Sequence, residues 1–446
     1  MAVKRVCRIA ALCLALLLCL TSCSSGALVR PVSELLKPPL YYPEYEDLVE
    51  AFHKNIGTDV DLCIPRSGDY SSAVVLEDLD MDGSKEALIF YRNETTDAMA
   101  NMHYFDKLND RWISLGNFKG YGSEVGSVQT SDLDADGIKE IIVQWSFSGV
   151  SSGDMLSVYR RDQINNSYKE IATELCALSE TVDMDGDGCD ELFFISPVNN
   201  GTVTQRYARL MKLSGGAGSI VGETAVDASI SSYVSIKVEK PTGDLPLLLY
   251  IDAMVGEQQM ITELLYWDAT LSKLVAPLLD EKTLTHTQTL RNAPIECADL
   301  NRDGRLDIPT QSEVFSETPT GSSDYEEVYL TVWKTYTRDG LEDTAYTLIN
   351  QEENYLIELT KNEAKTLGLR SYPRSNCWIV FQRESPDDAL FSVIKIPQDR
   401  WGEEEFVSYI PIVELEDGVV SVFITQKGVR RGITEEIILS KIKKMS

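Results

Sequence analysis

The sequence predicts a mainly β protein: a β-propeller-like array of about five four-stranded blades, with six or seven possible, plus a small C-terminal α+β domain. Three observations predict it. A nine-residue acidic series recurs four times in one register, its copies lie one or two repeat units apart, and β-branched and aromatic runs flank each copy.

The copies are 78–86, 132–140, 183–191 and 299–307. Position 1 is Asp78, Asp132, Asp183 and Asp299, and position 3 is Asp80, Asp134, Asp185 and Asn301. Position 5 is Asp82, Asp136, Asp187 and Asp303, and position 9 is Glu86, Glu140, Glu191 and Asp307. Glycine stands at position 6 throughout. Alternating oxygen donors wrap a chain around a hard cation, and the glycine permits the sharp turn. The spacings are 54, 51 and 116 residues, the last being two units of about 58. A degenerate unit is therefore expected near residue 240. There Tyr233–Val238 and Leu245–Ile251 flank the turn 240–244, which has no carboxylate ladder.

Each unit reads as strand, acidic loop, strand and second hairpin. Ala73–Leu76 and Ala87–Tyr91 flank the first loop; Ile141–Trp145 and Leu192–Ile195 follow the second and third. Second hairpins turn at Asn109-Asp110 and at Asn165-Asn166, and Leu264–Trp267 and Val328–Trp333 are their equivalents further on. Four short strands per period of 50–58 residues match propeller blades.

The N-terminus reads as an export signal over 1–22, with Lys4, Arg5 and Arg8 ahead of the apolar run Ile9–Leu20. It ends in Leu20-Thr-Ser-Cys23, which resembles the lipobox of bacterial lipoproteins. The resemblance implies cleavage before Cys23 and lipidation of that residue, hence an extracytoplasmic protein anchored to the membrane. Several acyl chains would hold it stably. Residues 23–60 are expected to be a tether and a short helix over Glu44–Lys54, with Tyr45, Leu48, Val49 and Phe52 on one face.

Removing 1–22 takes the formal charge from −29 to about −32, which excludes nucleic acid as a partner, since phosphate binding needs a basic face. Cys63, Cys176, Cys189, Cys297 and Cys377 are odd in number, widely spaced and lack a Cys-x-x-Cys pair, so they read as small buried hydrophobes.

Blades are expected over 61–345 and the α+β domain over 346–446. In the latter, Thr360-Lys-Asn-Glu363 is a capping box for a helix that Gly368 would close. Strands follow at Cys377–Gln382, Ala389–Ile396, Phe406–Leu415 and Val419–Thr425, the last two joined at Asp417-Gly418. A final helix capped by Thr434 carries Ile438, Ile442 and Met445 as its apolar stripe, backed by Leu439.

An EF-hand needs a bidentate glutamate at position 12 and flanking helices. Here position 12 is Ile89, Val143, Phe194 and Thr310, and the flanks are strands. With its closing acid at position 9, the series resembles the FG-GAP, or VCBS-type, repeats of integrin-α propellers and bacterial surface proteins, over about residues 62–345. The resemblance implies up to four structural calcium ions, with positions 1, 3, 5 and 9 as side-chain ligands. It also implies backbone carbonyl ligands at position 7: Ser84, Ile138, Cys189 and Arg305. At extracellular calcium concentrations each ion would add roughly 0.4–1.4 kcal/mol. Asn301 lowers the charge of the fourth loop and predicts the weakest affinity there.

His53, His103 and His286 lie in no recognisable nucleophile or metal motif, and no hydrolase, P-loop or dinucleotide fingerprint occurs. Tyr121 and Trp145-Ser-Phe147 are candidate sugar-stacking aromatics, with blade-core packing as the commoner use of such residues. The expectation is a non-enzymatic scaffold that binds an envelope or extracellular protein or glycan. The alternative is an extracellular hydrolase or lyase acting on polysaccharide.

Overall fold

A computed structural model describes residues 43–93, 97–147, 154–162, 167–199, 204–292, 294–317 and 326–445. The expected signal sequence, Cys23, the tether before residue 43 and the Asn165-Asn166 turn lie outside them. The described chain divides into two compact units, one holding 43–59 with 105–114 and the other holding 60–104 with 115–445. In the first, helix Pro43–Ile56 buries Leu48 and Phe52, whereas Val49 is half exposed. The Lys107 ammonium stands 5.7 Å from the centre of the Trp112 ring.

The chain is mainly β, and its described residues form six antiparallel sheets. The first contains Asp61–Leu62, Val74–Glu77, Glu86–Asn93, Asp97–Leu108 and Arg111–Lys119. The second is Glu124–Ser131, Glu140–Ser146, Asp154–Asp162 and Ser167–Cys176, and the third is Leu178–Val182, Glu191–Asn199, Thr204–Ser214 and Ala217–Ala225. The fourth is the degenerate unit expected near residue 240. It has strands Ser232–Glu239, Leu248–Val255, Gln259–Asp268 and Lys273–Val275, with Arg291–Asn292 pairing on Gln259–Asp268. The fifth is Asp307–Val314, Tyr329–Thr337, Gly340–Asn350 and Tyr355–Leu359, and the sixth runs from Leu367–Tyr372 to Gly418–Ile424.

Consecutive sheets share cores in the way stacked blades do, because side chains alternate from face to face along a strand. In Glu140–Ser146, Ile141, Val143 and Trp145 join the core shared with the first sheet, while Ile142 joins Leu192 and Phe194 on the other side. In Leu248–Val255, Leu249 and Ile251 face the third sheet, and Leu248 and Tyr250 meet Ile308 and Tyr336 of the fifth. The third core holds Phe193, Ile195 and Leu210, and the largest is common to the fifth and sixth sheets, where Tyr355 packs edge-on against Trp378 at 5.4 Å.

Three details depart from expectation. Position 346 falls inside Gly340–Asn350, a strand of the fifth sheet, so that sheet continues across the expected boundary. The last helix spans only Glu435–Lys441, and Ile442–Lys444 is a strand paired to Tyr355–Leu359. Closing a sheet edge outweighs one more helical turn there. The capping box of Thr360 and Glu363 forms, but the helix ends at Thr366 and Gly368 lies in a strand, where a Cβ would stand 2.6 Å from the Phe381 ring. Among the described cysteines there is no disulfide. Cys176 and Cys297 are buried, whereas Cys63, Cys189 and Cys377 are only partly so.

Candidate functional site

The four acidic loops fold alike. The position-1 aspartate accepts the N–H of the position-6 glycine at 3.2, 2.9, 3.0 and 2.9 Å in turn. The position-5 aspartate accepts the N–H of position 7 at 2.7, 2.9, 2.9 and 2.8 Å, which fixes Ser84, Ile138, Cys189 and Arg305. Position 9 reaches back to the N–H of position 2 (Leu79, Leu133, Met184 and Leu300) at 2.6, 2.9, 2.9 and 3.3 Å. Position 4 is left-handed in every loop, at Met81, Ala135, Gly186 and Arg302, as is the glycine at position 6. The chain thus reverses twice within three residues and turns its acids inward.

Position 9 is also the first residue of the following strand, and this is what buries it: Glu86, Glu140, Glu191 and Asp307 are at most 2% exposed. Burial, with repulsion from Asp134 and Asp136, pushes the Glu140 carboxyl up to about 7. Burial raises Glu191 and Asp307 as well.

Ligand atoms of Asp183, Asp185, Asp187 and Glu191 lie within 4.8 Å of one another, as do those of Asp78, Asp80 and Glu86, and of Asp132, Asp134 and Asp136. Such groups of hard oxygens, two of which include the buried strand-end glutamate (Glu86 and Glu191), fit a divalent cation that would offset their repulsion. Asp82 and Glu140 stand outside the gathered sets of their loops. The fourth loop, with Asn301, gathers no comparable set of acids among the described residues; there the Asn301 amide is turned onto Asp303 at 2.9 Å.

Among the described residues, Arg161 pairs with Asp80 of the first loop, and the second and third loops receive a cation from the next strand of their own sheet. Lys212 Nζ lies 2.7, 2.6 and 3.0 Å from Asp185, Asp187 and Glu191. Arg160 lies 2.7, 2.8 and 3.5 Å from Asp134, Asp136 and Glu140. In the fourth loop the residue across from Asp307 is Thr335. Position 8 ties loops to the preceding unit: Lys139 pairs with Glu77 at 2.5 Å, Ser131 donates to Asp190 at 2.6 Å, and the Leu306 N–H donates to Glu239 at 2.6 Å. Glu77, Ser131 and Glu239 each end the strand just before their own unit's loop or turn, so one joint recurs between units.

A second feature is a cleft of about 260 Å³ lined by the fifth and sixth sheets and the edge pair Arg291–Asn292. Four glutamates line it. Glu353 is buried, bonded to Asn376 and 2.7 Å from Lys395, and Glu327 accepts from the Tyr329 hydroxyl at 2.8 Å. Glu326 and Glu352 repel each other. Burial first, then the Glu352 charge, raises Glu326 above the usual carboxylate range. Sequence reasoning missed this pair because its members are 26 residues apart on different turns, with no motif around either. Of the aromatics singled out from the sequence, Trp145 is fully buried core, and the exposed Tyr121 donates to Glu170 at 2.9 Å. His103 is packed inside its strand, as expected.

No family model and no curated protein matches the chain. Among solved structures it is similar to a rhamnogalacturonan lyase of Bacillus licheniformis (TM-score 0.30, 12% identity, 66% of this chain and 65% of that one). It is similar also to an exo-β-1,3-galactanase of Clostridium thermocellum (0.30, 10%, 83% and 98%) and a β-1,3-galactosidase (0.26, 13%, 76% and 74%). All three are named as enzymes, against the expectation of a non-enzymatic protein. No described helix is long and apolar enough to cross a membrane.

Proposed function

We propose that the protein is a polysaccharide-active hydrolase whose reaction takes place in the cleft between the fifth and sixth sheets. The observation that carries this reading is the pair Glu326 and Glu352, two carboxyls lining one cleft, the first raised by burial and by the charge of the second. Glycoside hydrolysis needs two carboxyls in unlike states, one to protonate the leaving oxygen and one to act from the other face. Glu326 is the general acid and Glu352 the base or nucleophile. The cleft's charge selects the substrate class. Its four glutamates face one arginine, Arg291, which is already paired with Asp252 at 2.8 Å. Uronic-acid polymers would be repelled, so the substrate is a neutral glycan and hydrolysis is preferred to lyase chemistry.

The acidic loops are, in this reading, FG-GAP-type calcium staples for the scaffold, with the first three loops the stronger. Lipid on Cys23 would hold the protein outside the membrane, where calcium and polysaccharide are both at hand. The test is release of reducing ends from a panel of neutral glycans in calcium. Glu326→Gln and Glu352→Gln should each lower the rate by about 10²–10⁴-fold with the fold unchanged by circular dichroism. A wild-type protein inert on the whole panel, or variants as active as wild type, would refute the assignment.

A further inference from the structure

The fourth sheet, whose turn lacks the acidic series, carries a different cluster. Asp227 follows the third sheet's last strand, Glu263 sits midway along Gln259–Asp268, and His286 belongs to the long connection before Arg291. One ligand atom of each lies within 4.8 Å of the others. All three are buried, at 0%, 1% and 7% exposure.

Both ring nitrogens of His286 are buried without a hydrogen-bond partner. Buried polar groups are nearly always satisfied, so a side chain more than nine-tenths buried with two orphaned nitrogens points to a missing ligand. The Tyr233 hydroxyl is likewise orphaned and lies in the field of Arg206 as well as of Glu263 and Asp227. Among the described residues no lysine or arginine charge offsets Glu263.

The cluster is also held in place. Asp227 accepts the His286 N–H at 2.7 Å and the Ser229 N–H at 2.7 Å, and Glu263 accepts the Asp227 N–H at 2.5 Å. Thr289 accepts the Thr262 N–H at 2.9 Å and donates to its carbonyl at 3.1 Å, and the Ala228 N–H donates to Leu284 at 2.8 Å. Both connections are thus pinned to the strand that bears Glu263. Carboxylates positioned by backbone N–H groups are the usual support of a metal site.

We propose that Asp227, Glu263 and His286 bind one divalent transition-metal ion, zinc by preference, as a structural staple of the unit that has no acidic loop. A dication neutralises two carboxylates that burial otherwise penalises. The imidazole nitrogen selects zinc over calcium, which takes oxygen donors. The ion fastens the connections around Asp227 and His286 to the sheet, as calcium would fasten the loops of the other units.

The test uses full-length metal-stripped protein in excess calcium, which occupies the acidic loops. Zinc is titrated against a chromophoric chelator, and cobalt serves as a spectroscopic substitute. One zinc per chain should bind, and His286→Gln and Glu263→Gln should each weaken it by at least about 100-fold while Glu416→Gln, at an exposed acid of the sixth sheet's last hairpin, leaves it unchanged. Absence of zinc binding in excess calcium, or wild-type affinity in either variant, overturns the proposal. Should either variant fail to fold, the wild-type cobalt protein decides. A hyperfine-shifted imidazole resonance supports the site, and its absence overturns it.

Discussion

Lys212→Met tests whether the third loop holds its own counter-ion. In the structure the Lys212 ammonium touches Asp185, Asp187 and the buried Glu191, all within 3.0 Å. Charge-assisted bonds of this kind contribute about 1.5–3 kcal/mol each, and stripping a buried acid of its partner costs about 3–5 kcal/mol. Asp187 is half exposed, so its share is small, and the contacts are not additive. Methionine keeps the packing of the stem. The net loss in chelator should therefore be about 2–4 kcal/mol, which for a chain of this size lowers Tm by roughly 2–5 °C. Calcium has to displace the same ammonium. Removing it should tighten calcium binding at this loop by at least about 30-fold, since 1.4 kcal/mol is tenfold. Differential scanning calorimetry with and without chelator, together with calcium titration calorimetry, reads both arms. An unchanged chelated Tm together with unchanged calcium affinity would show that Lys212 does not occupy the loop in solution.

Three other outcomes are expected. Gly120→Ala would set a Cβ 2.3 Å from the fully buried Trp145 ring and should cost about 1–3 kcal/mol by urea denaturation. A variant as stable as wild type would mean that the first core is loosely packed. Thr360→Ala removes the hydroxyl half of its capping box, which accepts the Glu363 N–H at 3.2 Å, and should cost about 1 kcal/mol by the same measure. Burial and the charges of Asp69 and Asp190 raise Glu180 to about 7, well above its unfolded value. Its proton-linked stability is therefore fully present below about pH 4.5 and lost as pH rises toward 7, by at most about 3 kcal/mol. Glu180→Gln should flatten that part of the stability profile; an unaltered slope would assign the effect to other groups.

The acidic loops and the strands beside them were readable because each depends on nine or ten contiguous residues. Aspartates at alternate positions and a glycine in the left-handed region dictate the turn locally, and alternation of period two marks the strands. The repeat period even located the fourth sheet around residue 240 before any contact was known. Where the reading failed, a distant partner decided. Ile442 carries a helical pattern but pairs with Ile357, because an open sheet edge needed a strand.

The sequence alone determined a mainly β chain of repeated units and where its acidic loops fall, since those follow from local sterics and spacing. Only the tertiary structure decided what the loops face: Arg161 at the first, and, by strand register, Arg160 in the second, Lys212 in the third and Thr335 in the fourth. It alone brought Glu326 to Glu352, and Asp227 to Glu263 and His286 across tens of residues. Local geometry is written in neighbouring residues, whereas the electrostatic environment of a carboxylate is written in whichever strands pack against it.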